Sequence, residues 1–127
     1  MLCINFYSEK LVEDIKELNV NDFEISEKGY EFLIKIGLEK ITEYRLEKKI
    51  IEGEEYEINL TELNDNNRNK ILELYKEKLL EENRKFFLTF NNESSIVESK
   101  EKISNLRELF LILEEFEKEE YKYFSYE

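Results

Sequence analysis

Three stretches of the sequence share a spacing that metal-dependent nucleases use, a glutamate followed two residues later by a lysine. They are Glu47 with Lys49, Glu98 with Lys100, and Glu120 with Lys122. In such a site the carboxylate holds Mg²⁺ and the lysine steadies a phosphate oxygen. The chain contains 28 Glu and 15 Lys, so chance alone supplies three matches. The first two pairs fall on predicted strands, but neither has an aspartate close upstream. A Mg²⁺-dependent phosphodiesterase is therefore only the third hypothesis for function.

Most other catalytic chemistry is excluded by composition. The chain has no histidine, which rules out Ser-His-Asp and Cys-His catalysis and histidine-ligated metals. Its three glycines, at positions 29, 37 and 53, are too far apart for a dinucleotide-binding or phosphate-binding loop. The single cysteine, Cys3, lies in an alternating apolar stretch and is predicted to be a small buried side chain. We therefore expect a protein that is not an enzyme, with no catalytic residue, metal or cofactor.

The net charge indicates a class of partner. With 31 acidic and 19 basic residues, the formal charge of the 127-residue chain is −12. A field of this sign repels nucleic acid and acidic membranes and speeds encounters with basic surfaces. The simpler alternative is that the glutamates only keep the protein soluble. Because the sequence shows no signal peptide and no apolar run of membrane-spanning length, we expect a cytoplasmic protein of a bacterial host cell.

Two acidic groups are predicted to bind a partner, one at a hairpin tip and one near the end of the chain beside three tyrosines. Their members are Glu52, Glu54, Glu55, Glu57, Glu114, Glu115, Glu117, Glu119, Glu120, Tyr121, Tyr123 and Tyr126. Carboxylates on a rigid scaffold beside tyrosines can take the place of phosphates and bases in a basic groove. The alternative is a solvated helix face with core aromatics, but four aromatic rings within residues 121–126 are not expected all to point inward.

Helical patterns surround these groups. Residues 1–7 are predicted to form a short strand or an extended lead-in, and Ser8 is predicted to cap a helix that carries Leu11, Ile15 and Leu18. A second helix begins at Ser26 and either continues through Gly37 or ends there. A third covers residues 66–82, capped by Asn64 or Asp65. A closing helix covers residues 104–120, with an apolar face of Leu106, Leu109, Phe110, Leu113 and Phe116.

Two β-hairpins are predicted between the helices. The first pairs residues 43–51 with residues 54–61 around Gly53. A two-residue turn would put its apolar sets on opposite faces, so we predict an odd-length loop or a bulge that pairs Ile50 with Tyr56. The second pairs residues 85–91 with residues 94–98. These elements predict one domain, residues 1–127, of the α+β class: a small antiparallel sheet built from two hairpins with about four helices packed against it.

The leading functional hypothesis is a small acidic inhibitor that binds and blocks a basic nucleic-acid-handling protein. Phage-encoded anti-CRISPR proteins, which inhibit Cas effectors, are similar in kind, being small, often acidic and without catalytic motifs. This hypothesis predicts a basic protein partner, such as a Cas effector or a toxin. It predicts no direct contact with nucleic acid or membrane.

The second hypothesis is an immunity protein that neutralises a cognate bacterial toxin. Residues 103–116, with Leu106, Leu109, Leu113 and Phe116, resemble the closing helix of the SUKH immunity families. Residues 30–33, Tyr-Glu-Phe-Leu, resemble their early helix. The resemblance covers under a third of the chain, and it implies an inhibitory protein partner in place of catalysis.

Overall fold

The computed structural model describes residues 2–41, 45–90 and 96–126, and over these residues five strands close into a small barrel beside three helices and one single helical turn. The elements, in chain order, are β1 (Leu2–Val12), β2 (Ile15–Ile25), α1 (Glu27–Lys35), α2 (Leu38–Ile41), β3 (Arg45–Ile51), β4 (Glu54–Glu62), α3 (Asp65–Phe90), α4 (Ile96–Glu117) and β5 (Tyr121–Tyr126).

The barrel follows the order of the strands along the chain, and β5 pairs with both β4 and β1. All neighbours are antiparallel except β2 and β3, which run parallel where Leu18 meets Ile51. A small apolar cluster that draws on all five strands fills the interior. Its members are Tyr7, Leu18, Ile51, Ile58, Leu60 and Tyr123. The predicted open antiparallel sheet with about four helices is therefore wrong.

A larger core lies between the outer side of β1, β2 and β5 and the helices. At its centre Phe6 stacks on Tyr121, with ring centroids 4.9 Å apart, and meets Phe116 edge to face at 5.1 Å. Helix α4 contributes its buried face, which consists of Leu109, Ile112, Leu113 and Phe116. Burial of large rings in such pairs supplies much of the stability of a chain this size.

The predicted helix over residues 8–18 is wrong, because this stretch is a β-hairpin. Glu13 (φ 52°) and Asp14 (φ 66°) both adopt left-handed backbone conformations and form the two-residue turn between β1 and β2. Such a turn matches the right-handed twist of paired strands. The helical spacing of Leu11 and Ile15 does not reflect burial, since these side chains are 74% and 51% exposed.

The predicted second hairpin is also wrong. Residues 85–90 continue α3, and residues 96–98 belong to α4; the rest of the predicted hairpin, residues 91–95, lies outside the described residues. The predicted end of the third helix at residue 82 is wrong, because no glycine or proline follows it and Phe86 extends the helical stripe seven residues after Leu79. The alternation of Phe86, Leu88 and Phe90 therefore belongs to a helix.

The predicted β3–β4 hairpin exists, but its turn differs from the prediction. Glu52 (φ 52°) and Gly53 (φ 80°) form a two-residue turn without a bulge. Ile50 consequently pairs with Glu55, and Lys49 pairs with Tyr56. The apolar sets of β3 and β4 therefore do lie on opposite faces of the hairpin. The barrel forms nonetheless, because Ile51, Ile58 and Leu60 all face its interior. The predicted start of this hairpin, residues 43 and 44, lies outside the described residues.

Several local signals are confirmed. Ser26 caps α1, and its hydroxyl accepts a hydrogen bond from the backbone N–H of Gly29. Gly37, at φ 78°, follows the end of α1. The side chain of Asn64 accepts from the backbone N–H of Asn67 at the start of α3. The predicted strand over residues 1–7 is present from Leu2 and continues to Val12.

Polar contacts hold the helices on the barrel. The hydroxyl of Tyr75 donates to the carbonyl of Leu109 at 2.6 Å, joining α3 to α4 inside the core. The guanidinium of Arg68, which is buried, donates to the carbonyls of Lys118 and Tyr121 and so fixes the entry into β5. Each contact satisfies backbone acceptors that would otherwise be costly to bury.

We expect Phe116→Ala to reduce the free energy of unfolding by about 3–5 kcal/mol, because Phe116 is fully buried between Phe6 and Phe124. Phe110→Ala on the same helix is the matched control. Phe110 is 47% exposed, so its replacement should cost less than about 1 kcal/mol. Urea unfolding of both variants measures the difference, and equal losses would contradict the placement of α4.

Tyr75 makes stability depend on alkaline pH. Burial, followed by the charge of Glu108, raises the pKa of Tyr75 well above its usual value. Above about pH 10 an unfolded tyrosine releases its proton, so the folded state then binds more protons and its stability falls as pH rises. Tyr75→Phe should cost about 1 kcal/mol at pH 7, through the lost hydrogen bond to Leu109. Urea unfolding should show this cost shrinking above pH 10; a constant cost would contradict the assignment.

Candidate partner-binding surfaces

The four carboxylates predicted at the β3–β4 tip are all exposed, but they do not share a face. Glu52 lies in the turn. Glu54 lies on the same side as Tyr56 and accepts a hydrogen bond from its hydroxyl at 2.7 Å, which together with the charge of Glu54 raises the pKa of Tyr56. Glu55 and Glu57 project from the opposite side, because side chains alternate along a strand. The tip, which we call the acidic tip (Glu52, Glu54, Glu55 and Glu57), thus presents carboxylates in two directions.

The second predicted acidic group lies where α4 passes into β5. Glu114, Glu117, Glu119 and Glu120 are exposed. The side chain of Glu115 is only 14% exposed and pairs with Lys118 at 2.9 Å, and this hydrogen bond is the main cause of a raised Lys118 pKa. Four of the five predicted glutamates therefore face solvent here, while Glu115 is held against the protein.

The structure does not bring the two acidic groups together. The acidic tip lies at the amino end of β4, whereas the α4–β5 turn lies beyond its carboxyl end, where the N–H of Leu63 donates to the carbonyl of Lys122 at 2.7 Å. A nine-residue strand separates them, which corresponds to about 30 Å at the rise of a β-strand. Each group would have to act as a separate surface.

The expectation that the terminal aromatic rings cannot all point inward is wrong, because this segment is the fifth strand of the barrel. Tyr121 is 4% exposed and packs in the helix-facing core with Phe124. Tyr123 points into the barrel, and Tyr126 stacks on Phe124 at 6.4 Å. The predicted tyrosines Tyr121, Tyr123 and Tyr126 are thus packed side chains, two of them partly exposed.

The strand order creates one polar cluster that the sequence patterns did not predict as a unit. The ammonium of Lys49, on β3, donates to the hydroxyl of Tyr123, on β5, at 3.0 Å and lies 4.6 Å from the centre of its ring. Burial lowers the pKa of Lys49, but the bond and charge of Tyr123, with smaller effects of Glu47 and Glu9, raise it overall. Only the fold could reveal this contact, because 74 residues separate the two side chains.

The cluster includes the first Glu-x-Lys pair. Glu47 and Lys49 are two residues apart on β3 and share its barrel-facing side. The second pair lies on α4 rather than on a strand, and Glu120 of the third lies in a turn. Over residues 2–41, 45–90 and 96–126 we find no group of three or more Asp, Glu or Cys side chains placed to hold a metal ion.

A polar cleft of about 290 Å³ opens beside this cluster, between β3, β4 and the start of α3. Lys40, Arg45 and Lys70 line it together with Glu47 and Glu62. The lining thus mixes three positive and two negative side chains. It therefore has no strong preference for an ion of either sign.

Comparison with protein-family models, with curated proteins and with solved structures finds no match to this chain. The resemblance of residues 103–116 to an immunity-protein helix therefore rests on the sequence pattern alone. In the structure those residues form part of α4. None of the helices among the described residues is long and apolar enough to span a membrane.

We expect Tyr123→Phe to lower the pKa of Lys49, because the substitution removes the hydrogen bond and the phenol charge that raise it. NMR titration of the lysine side-chain carbons next to the ammonium group would follow the change. Glu9→Gln is the control and should lower the pKa less, since Glu9 is the smallest of the contributions. An unchanged Lys49 pKa in Tyr123→Phe would contradict the contact.

Proposed function

We propose that this chain is a non-enzymatic inhibitor that binds a basic nucleic-acid-handling protein, as anti-CRISPR proteins bind Cas effectors. The observation that carries the proposal is the acidic tip, where four exposed carboxylates crowd one short hairpin. Glu52 and Glu55 form no ion pair with another described residue, and the ion pair of Glu57 with Lys48 is 3.9 Å long. These charges contribute little to folding, which leaves them available to a partner.

The backbone of the tip supports this proposal. A two-residue turn with two positive φ angles leaves little conformational freedom between β3 and β4. A rigid acidic ribbon loses less entropy on binding than a flexible acidic tail would. On one side of the ribbon, the carboxylates of Glu55 and Glu57 stand two residues apart, which separates them by about 6.7 Å. Basic side chains that track a nucleic-acid backbone offer a suitable counterpart.

The net charge of the whole molecule also favours a partner with a basic, nucleic-acid-binding groove. The net charge of −12 favours encounters with positively charged proteins. The acidic tip would then compete with the phosphate backbone for the same Lys and Arg side chains. This mechanism requires no catalytic residue, so inhibition should be stoichiometric and reversible by salt.

The test is capture of a basic partner at two salt concentrations. The tagged chain, expressed in a bacterium that carries CRISPR and toxin loci, is purified after nuclease treatment, and a recovered Cas effector is then purified for direct binding measurements. We expect binding at low salt that falls steeply as salt rises and that competes with the nucleic acid of the effector. Recovery of a secreted toxin domain would instead favour the immunity hypothesis, and no specific protein at low salt would contradict both.

We expect the quadruple variant Glu52→Gln, Glu54→Gln, Glu55→Gln and Glu57→Gln to bind the partner between about fourfold and several hundredfold more weakly, because four exposed pairs at roughly 0.2–1 kcal/mol each sum to about 0.8–4 kcal/mol. A control with the same net charge replaces four exposed glutamates elsewhere. These are Glu24, Glu31, Glu73 and Glu77. If both variants lose affinity equally, net charge rather than the acidic tip drives binding. If neither loses affinity, the proposal fails and the surface at the α4–β5 turn becomes the next to test.

A further inference from the structure

The outer side of the α3–α4 hairpin carries six large apolar side chains that the protein does not bury. Their exposed fractions range from 41% to 71%. The residues are Leu80, Phe87 and Leu88 on α3 and Ile103, Phe110 and Leu111 on α4. We call this set the hairpin patch. Contiguous exposed apolar surface of this kind marks interaction sites in many proteins.

The two helices repeat one pattern. In α3 it runs Leu80, Arg84, Phe87, Leu88, and in α4 it runs Ile103, Arg107, Phe110, Leu111. In both, the residues stand at positions i, i+4, i+7 and i+8, which lie along one side of a helix. Each helix therefore presents an apolar stripe with an arginine in its middle.

The two stripes lie along the same seam between the helices. Lys76 of α3 forms an ion pair with Glu117 of α4 at 3.9 Å, which identifies the sides of the helices that face each other. Leu80 lies one turn beyond Lys76 on that side, and Phe110 lies two turns before Glu117. Leu80 and Phe110 therefore border this seam, and since the helices form an antiparallel hairpin, the rest of each stripe follows the solvent-facing surface of its helix beside the seam.

The arginines indicate what covers the patch. Arg84 and Arg107 are exposed, and no carboxylate of the described residues lies within ion-pair distance of either. Yet the chain has 31 acidic side chains. Arginine pairs with carboxylates through two parallel hydrogen bonds and is common at interfaces. Two such side chains, each standing within an apolar stripe, complement a partner that is apolar and acidic.

We propose that the hairpin patch binds an amphipathic α-helix of another protein, with apolar residues at helical spacing and carboxylates beside them. A helix laid along the seam would bury the six apolar side chains and place its carboxylates near Arg84 and Arg107. A second copy of this chain fits less well, because it brings another −12 charge and a second pair of arginines. An anionic membrane surface is repelled by the same net charge.

The test uses two synthetic helical peptides of 20 residues with the same Leu and Phe stripe. One carries glutamates beside the stripe, and the other carries lysines at those positions. We expect the glutamate peptide to bind at least about tenfold more tightly by fluorescence anisotropy, since it gains two arginine pairs. The net charge of −12 alone predicts tighter binding of the lysine peptide. Which peptide binds more tightly therefore distinguishes the proposed site from a general charge effect.

Variants locate the binding. Arg84→Glu with Arg107→Glu should reverse the preference, whereas the control Lys10→Glu with Lys70→Glu, which makes the same change in net charge at exposed positions, should preserve it. The double variant Phe87→Ser with Phe110→Ser should bind each of the two peptides at least about tenfold more weakly. Because both rings are largely exposed, this variant should keep its circular dichroism spectrum and its melting temperature within a few degrees.

Three results would overturn the proposal. The first is equal binding of the two peptides, or tighter binding of the lysine peptide. The second is a dimer in analytical ultracentrifugation that Phe87→Ser with Phe110→Ser converts to a monomer, which would assign the patch to a second copy. The third is binding to vesicles of phosphatidylglycerol that the same variant abolishes. The glutamine variant of the acidic tip should leave peptide binding unchanged, so the two proposals fail independently.

Discussion

The pairing of β1 with β5 is the contact on which both apolar cores depend. Neighbouring residues of β1 serve different cores, since Phe6 faces the helices and Tyr7 faces the barrel interior. The pairing of β1 with β5 contains a β-bulge, where the register shifts between Tyr7 and Ser8. This bulge places both Tyr121 and Phe124 on the helix side and Tyr123 on the barrel side. Without this bulge, side chains would alternate strictly along β5, and Tyr121 and Tyr123 would share one side of the strand.

This arrangement leaves the acidic residues at the periphery. Each strand of the barrel uses one face for the interior, and β1, β2 and β5 use the other for the helices. The carboxylates that no core can accept therefore lie at the surface, on exposed strand and helix faces as well as at the hairpin turns and the junction of α4 with β5. The long helices cause a separate effect, because the sides of α3 and α4 that face away from the core keep several apolar side chains in contact with solvent.

Local signals in the sequence predicted local structure well. Ser26, Gly37 and Asn64 mark helix boundaries through interactions within a few residues, and all three act as expected. The hairpin at residues 8–18 was missed because its turn consists of Glu13 and Asp14. A glycine in this turn would have indicated a left-handed backbone conformation, whereas glutamate and aspartate give a weaker signal. The end of α3 was misplaced because the short apolar run of Phe86, Leu88 and Phe90 fits the two-residue period of a strand as well as the 3.6-residue period of a helix.

The candidate site divides in the same way. The exposure of the acidic tip was predictable, since four of the six residues from 52 to 57 are glutamates, which are rarely buried. The inward orientation of Tyr121 and the contact of Lys49 with Tyr123 depend on which strand lies beside which, and that is decided by pairs of residues far apart in the chain. Sequence patterns describe single elements, so they could not reveal barrel closure or the arginine-centred stripes that two helices bring to one seam.

Closure of the barrel also governs the order in which the chain can fold. The hydrogen bond of Asn5 with Ser125 joins residues 120 positions apart, whereas the β1–β2 ribbon and the α3–α4 hairpin connect neighbours. Contacts between distant residues form slowly, because the intervening chain must first lose its freedom. The ribbon and the helical hairpin can therefore form early, while one edge of β1 stays without its partner until β5 arrives. In that interval the molecule is most open to pairing with other chains.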